Sequence, residues 1–310
     1  MKVLVTGGTG LLGSAVRDVS VAEKWEGEYV FASSKDANLE DWDHTWALFQ
    51  RHRPTHVVHL AARVGGMFAN QAHNRDFFLS NMKINTNVLE ACRLAGVTKV
   101  VSCLSTCVFP DGAPLPLEPR DMHNGPPHHS NEGYAYAKRM LEVLSRMYSA
   151  ETGNPYICVV PTNMYGRYDN FDLAKAHVVP ALIHKAHMSR PGPLTVCGTG
   201  TPLRQFLYAP DAARMIGHVL RRYDDHATPV VLTSREEVNI AHVAGLIAAE
   251  FGIGVRVDGT PAADGQFKRT ASAAGFMALV PEFEFTPLAL GIRETVQWFG
   301  DNYATARVGS

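Results

Sequence analysis

In the stretch YAYAK, Tyr134 and Lys138 stand four residues apart. On a helix that spacing puts both side chains on one face, close enough for the ammonium to lower the phenol's pKa from about 10. A phenol so placed can give a proton to, or take one from, a carbonyl oxygen beside it. Upstream, LSTCVFP (104–110) ends an apolar run with the hydroxyls of Ser105 and Thr106 and the thiol of Cys107. The serine offers a second hydrogen bond to such an oxygen; what the thiol adds is a separate question. Near the start, TGGTGLLG spaces Gly7, Gly10 and Gly13 three residues apart. Glycines there let the backbone approach a pyrophosphate closely, and the amino end of the following helix favours its charge. Each sign is weak alone. Ten tyrosines make a chance YxxxK unremarkable, and most free cysteines are small buried hydrophobes. The order carries the weight: a Gly-rich turn, a serine ending a later strand, then Tyr and Lys on the next helix all come to the carboxyl edge of one sheet, where such sheets bind ligands.

The elements that must hold these groups follow from periodicity. Short β-branched runs at 2–7, 28–33, 56–61, 99–105 and 156–162 read as strands, and 81–96 and 134–153 have helical spacing. The alternation predicts an α/β fold, a doubly wound parallel sheet of Rossmann type, with a dinucleotide-binding domain over residues 1–162. After PTNMYG (161–166) the rhythm breaks and Pro and Gly become frequent. A smaller C-terminal α/β substrate-binding region is expected over 163–199 and 226–310, with about 200–225 returning to the sheet. No repeat or flexible linker separates the two. The second strand runs out into SSKDAN, where Ser33, Ser34 and Lys35 offer hydroxyls and an ammonium. These suit a ribose 2′-phosphate and therefore NADP(H); the alternative is that Asp36 takes an unphosphorylated ribose.

Composition limits the partners. The 310 residues are 46% hydrophobic and 19% charged, enough for a large core, and the formal net charge of −1 gives no global field toward nucleic acid or anionic membrane. Cysteines at 92, 103, 107, 158 and 197 are odd in number and form no CxxC, which favours free thiols in a reducing compartment. MKVLVTGG enters a strand at once, without a leader's basic and apolar segments, and no run approaches a membrane span. The expectation is a cytoplasmic protein with no nucleic-acid or membrane partner. The fourteen histidines show no metal-ligand spacing, so no metal is expected.

Through TGGTGLLG, LST and YAYAK the chain resembles the extended short-chain dehydrogenase/reductase family. Longer runs, among them HLAARVGGMFAN, NGPPHHSNEGYAYAKRM, PTNMYGRYDNF, HVVPALIHK, GTGTPLRQFLY and DGQFKRTAS, are similar to that family's branch of NADPH-dependent enzymes that epimerise and reduce a GDP-4-keto-6-deoxy-sugar. The resemblance implies Ser105, Tyr134 and Lys138 as a reductase triad, with Cys107 and His177 as an additional acid/base pair. It implies NADP(H) contacts from Gly7, Thr9, Gly10, Leu11, Leu12 and Gly13, from Ser33, Ser34 and Lys35, and from Leu60, Ala61 and Ala62. Further contacts would come from Tyr134, Lys138, Pro161, Asn163, Met164 and His177. For the GDP-sugar substrate it implies Ser105, Thr106, Cys107, Asn163 and Val178 near the sugar. Lys185, Cys197, Arg204, Asp264, Lys268 and Arg269 would meet the nucleotide. Arg204 offers a planar fork for phosphate; Lys185 or Lys268 taken singly reads as an ordinary surface lysine, but together they make an anion pocket. Cys197 departs from the family, which usually carries tryptophan there, so stacking on the base or ribose is weakened. Relatives are homodimers pairing two helices from each subunit, for which 81–96 and 134–153 are the candidates.

That chemistry gives the thiol a purpose. A ketone at C4 acidifies the protons on C3 and C5, and inverting either carbon requires removal of a proton from one face and its return on the other. One group cannot serve both faces. A thiol near pKa 8.5 and an imidazole near 6.5 both exchange protons about neutrality. Which is base and which is acid stays open. So do an NAD-retaining nucleotide-sugar 4-epimerase or dehydratase, and a non-catalytic NADP-binding module. Ser33 to Lys35, and STC in place of a dehydratase's Thr-Asp-Glu run, speak against the first; the intact set of five side chains speaks against the second.

Overall fold

A computed structural model describes residues 1–261, 264 and 266–309. The first half runs β1 (Lys2–Thr6), α1 (Leu11–Ala22), β2 (Glu28–Ala32), α2 (Trp42–His52), β3 (His56–His59), α3 (Met67–Ala72), α4 (Asn74–Leu94), β4 (Lys99–Cys103), α5 (Glu132–Thr152) and β5 (Tyr156–Pro161). Then come β6 (Asn163–Tyr165), α6 (Val178–Ser189), β7 (Leu194–Val196), β8 (Leu203–Arg204), β9 (Phe206–Tyr208), α7 (Ala209–Arg222), β10 (Val230–Leu232), β11 (Val238–Asn239), α8 (Ile240–Phe251), β12 (Val255–Val257), α9 (Ala274–Leu279) and α10 (Leu288–Asp301). β1 to β5 and β10 form one parallel sheet in the order β10-β5-β4-β3-β1-β2. The chain therefore reverses direction across the sheet between β1 and β3, the place where open α/β sheets leave a crevice at their carboxyl ends.

Strand period two divides the core. Val3 and Val5 of β1 pack with Val16 of α1 and Ile216 of α7, while Leu4 packs with Leu48 of α2, Leu89 of α4 and Leu141 of α5. Both sheet faces are thus covered, which is why the strands read as continuous apolar runs. Local signals set the ends of the helices: the Asp41 carboxylate caps α2 by accepting from the His44 amide at 2.9 Å, and Gly153 ends α5 at φ +72°. The helix expected at 81–96 begins earlier, at Asn74, because Phe77 extends its buried face upstream. A third core, with Phe171, Ile183, Ile247, Ile292 and Phe299, joins α6, α8 and α10 to the short paired strands β6–β9 and β7–β12.

The return to the sheet reaches further than the expected 200–225. Helix α7 covers the β1 face, and β10 pairs with β5 at Val230–Val159 and Leu232–Pro161, beyond the boundary drawn at 226. Phe276, Val280 and Phe283 also enter the sheet-side core. A three-residue strand between irregular segments carries too little periodicity to be read alone. No described helix is long and apolar enough to cross a membrane, and the five cysteines are free.

Candidate active site

The carboxyl ends of β1, β3, β4 and β5 open onto a cavity of about 610 Å³. At one end is the Gly-rich turn. Gly7 has φ +70°, and a Cβ on it would lie 2.8 Å from the Ala61 nitrogen; a Cβ on Gly13 would lie 2.3 Å from the Gly7 carbonyl oxygen. Two strand ends and a helix start are therefore packed backbone to backbone. Gly10 begins α1 with no side-chain cap and no acidic residue in the first turn, so the helix presents its free N–H groups and positive end to the cavity. That cradle fits the pyrophosphate of a dinucleotide. Thr9, Leu11 and Leu12 line it, as do Leu60, Ala61 and Ala62 after β3.

Beyond β2, Ser33 and Ser34 line the cavity but Lys35 does not; it is exposed. Asp36 is outside the wall too. Its carboxylate accepts from the Ser33 amide and hydroxyl, both at 2.7 Å, and these bonds hold it below its ordinary pKa. Asp36 therefore closes a turn on Ser33, and the two serines form the wall.

At the other end stand Ser105, Thr106, Tyr134, Lys138, Pro161, Asn163, Met164 and His177. Ser105 opens a single 3₁₀ turn, Thr106–Val108, its hydroxyl accepting from the Cys107 amide at 3.4 Å. Lys138 is 1% exposed, donates to the Cys103 carbonyl at 2.7 Å and lies 5.8 Å from the centre of the Tyr134 ring. The lowered phenol pKa expected from the YxxxK spacing does not occur. Burial pushes Tyr134 well above its ordinary value, with Cys107 and Cys103 adding to the rise, and burial also lowers Lys138. The phenol is thus held protonated, as a proton donor.

Cys107 is part-exposed just outside the cavity wall. Burial raises its thiol, opposed by the Ser105 hydroxyl and by the charges of Arg269 and Lys138. His177 is the residue before the first turn of α6, whose Val178 is exposed. It is exposed on the cavity wall, and partial loss of water there holds the imidazole below its ordinary value. The His177 imidazole therefore shares the cavity wall with Ser105 and Tyr134, while the Cys107 thiol stands behind Ser105.

The residues expected to meet the nucleotide lie outside this cavity, and they divide. The Arg204 guanidinium donates to the Leu203 and Gln266 carbonyls, each at 2.7 Å, and Arg269 donates to the Thr106 carbonyl at 2.9 Å and to Gln266 Oε1 at 2.8 Å. Burial lowers both, and Arg269 lowers Arg204 further by like charge. Among the described residues neither lies within salt-bridge distance of a carboxylate. Lys268, by contrast, pairs with Glu237 at 3.0 Å. Asp264 accepts from the Thr199 amide and hydroxyl at 2.7 and 2.6 Å, so both its oxygens secure the loop after β7. Cys197 is exposed, with the Lys185 ammonium 3.8 Å from its sulfur.

Sequence reasoning missed Arg63, Asp169, Asn170, Lys175 and Arg307, all in the cavity wall. Arg63 directly follows the β3 run and was open to the same reading as Ala61 and Ala62. Arg307 lies in the last residues of the chain, where no local pattern indicates a site.

Comparison with known proteins follows the same outline. The profile of the NAD dependent epimerase/dehydratase family matches residues 3–241. The chain is 47% identical over 312 residues to a GDP-L-fucose synthase of Dictyostelium discoideum, covering 98% of this chain and 97% of the relative. It is 44% identical to a Drosophila melanogaster protein named a probable GDP-L-fucose synthase, over 99% of each. Among solved structures, an NADP-bound GDP-L-fucose synthetase of Naegleria fowleri superposes with a TM-score of 0.94 at 44% identity, covering 99% of this chain and 94% of that one.

Proposed function

The chain belongs to the NAD dependent epimerase/dehydratase family, and from that premise we propose that it is an NADPH-dependent 3,5-epimerase-4-reductase converting GDP-4-keto-6-deoxy-D-mannose to GDP-L-fucose. The observation that carries the reading is the thiol of Cys107 beside the Ser105 hydroxyl, next to Tyr134 and Lys138, with the His177 imidazole on the same cavity's wall. A reductase alone needs no such pair. The near full-length likeness to synthases of that name supports the substrate.

Ser105 and Tyr134 hydrogen-bond the C4 oxygen and so stabilise the enolate formed when C3 or C5 loses its proton. Cys107 and His177 carry protons to and from the two faces of the ring. NADPH, when bound, supplies the hydride that reduces C4. Tyr134, kept protonated by burial, gives its proton to the C4 oxygen as that hydride arrives, with Lys138 held beside it by its bond to the Cys103 carbonyl. Arg204 and Arg269, free of carboxylates among the described residues, are matched to the diphosphate of the GDP-sugar. Lys185 and Cys197 stand toward its base. Ser33 and Ser34 favour a 2′-phosphate, and the likeness to an NADP-bound synthetase supports NADP(H).

The same reading assigns a homodimer in the cytoplasm. Leu79 on α4 and Met140 and Met147 on α5 are exposed on two helices packed side by side, a surface suited to a second copy. Free cysteines suit a reducing compartment. The test is incubation with the keto-sugar and NADPH in heavy water, followed by NMR of the sugar ring. Deuterium at C3 and C5 in an L-configured product is expected, with both signals lost or slowed about 10²- to 10⁴-fold in Cys107→Ser. Undiminished exchange in that variant sinks the role of the thiol. Tightly held NAD in the purified protein, with no NADPH consumed, would replace the reading with an NAD-retaining epimerase.

A further inference from the structure

Among the polar residues of the cavity wall with no part in the chemistry above are Asp169, Asn170, Lys175 and Arg307. Asp169 is 5% exposed; one carboxyl oxygen accepts from the Asn170 amide at 2.7 Å, and the other is buried with no partner among the described residues. A buried, half-satisfied carboxyl in a ligand cavity needs an explanation. Two elements frame it. The Tyr168 phenol faces Arg17 and Asp18 of α1, which seats this loop against the helix whose amino end forms the pyrophosphate cradle. From the other side comes the C-terminal segment: the Phe171 amide donates to the Arg307 carbonyl at 2.8 Å, and the Arg307 guanidinium donates to the Tyr168 carbonyl. Arg307 is exposed and on the cavity wall. Lys175, beside it, is already paired with Asp172 at 3.2 Å.

Resting on the dinucleotide reading above, we propose that the C-terminal segment completes the cofactor site: Arg307 meets a phosphate of the bound dinucleotide opposite the amino end of α1, and the buried Asp169 carboxyl behind it sets the charge it meets. A helix terminus holds a phosphate with N–H groups from one direction only, and a guanidinium fork supplies the opposite pair. Burial lifts the Asp169 carboxyl to about 7, with the Asn170 amide and Arg307 pulling it down. Protonated, it leaves the Arg307 charge to the phosphate; ionised, it draws on that charge and repels the phosphate. The other charged groups around it are Arg17 and Asp18 on α1, the Lys175–Asp172 pair, and His177 further along the same loop.

The test is direct binding, by fluorescence titration of NADPH into the full chain, with GDP titration at the surface proposed for the nucleotide-sugar as the control of folding. Arg307→Gln is expected to weaken NADPH binding roughly ten- to a hundredfold while GDP binding holds, and Arg307→Lys to recover part of the loss. Between about pH 6 and about pH 8, wild-type affinity for NADPH should fall more steeply than that of Asp169→Asn, which keeps the shape and cannot ionise. Equal affinity in Arg307→Gln and wild type overturns the proposal, and so do parallel pH slopes. A wild-type protein that binds GDP but no NADPH would instead overturn the dinucleotide reading itself.

Discussion

The dinucleotide cradle and the surface outside the cavity proposed for the nucleotide-sugar are built from different material. At the dinucleotide end the surface is largely backbone: glycines pressed against a neighbouring strand end, a bare helix terminus, and short side chains such as Thr9, Ala61 and Ser33. At the nucleotide-sugar end it is long charged side chains on short strands and loops, each held by one or two hydrogen bonds. Backbone geometry leaves a substitution nowhere to go, whereas a side-chain site tolerates change except where the particular charge is the unpaired one. The first end should therefore fail abruptly and the second selectively.

The largest effect expected is at Gly13. A Cβ there meets the Gly7 carbonyl oxygen at 2.3 Å and the Gly8 Cα at 2.7 Å, both main-chain atoms. Gly13→Ala must open the turn, at a cost of about 1–3 kcal/mol in stability and more than about a hundredfold in NADPH affinity. Thermal unfolding and NADPH titration check both numbers, and a variant that binds as wild type would mean the turn is looser than its contacts. The second end is tested by a neighbouring pair. Arg269→Gln should raise KM for the GDP-sugar roughly ten- to a hundredfold, because this part-buried guanidinium has no carboxylate within salt-bridge distance among the described residues and keeps its charge for a phosphate. Lys268→Gln, which only breaks a partly exposed ion pair with Glu237, should change it less than about threefold. Equal losses in the two would erase the distinction between them.

The same contrast decides how much was legible in the chain. Gly7, Gly10 and Gly13, Ser105, and Tyr134 with Lys138 were readable because a strand–turn–helix order fixes where short-range groups point. The positions of the first five strands followed likewise. Spacing made Tyr134 and Lys138 neighbours but carried no information about water, and burial reversed the direction in which the phenol moves. Lys268 and Arg269 are adjacent and chemically alike in sequence; their fates diverge because Glu237, on another segment, lies within reach of only the first. Ser33 and Ser34 were readable as cavity residues, but spacing alone did not show that Lys35 is exposed outside the cavity wall while Asp36 turns back onto Ser33. Asp169 and Arg307 come together only when the last residues of the chain fold along the loop after β6, a pairing no local pattern encodes.

Asp169 is the exception to the contrast, a titratable side chain buried at the backbone-built end, and it supplies the mildest prediction for turnover. Its carboxyl sits at about 7 in the folded chain against an ordinary 3.8. Between those values the folded state binds more proton than the unfolded one, so stability falls as pH rises from about 4 to about 7 and stays at its lower level above. The full linkage for such a shift is on the order of 4 kcal/mol, an upper bound for a group with water nearby. Asp169→Asn removes the ionisation while keeping the shape. Its Tm should therefore match wild type near about pH 4 and exceed it by a few degrees near about pH 8, with the rate at saturating NADPH changed less than about twofold at about pH 6. An unchanged difference in Tm across that range would mean that Asp169 ionises freely in the folded chain, and the dinucleotide end would then carry no stored cost at all.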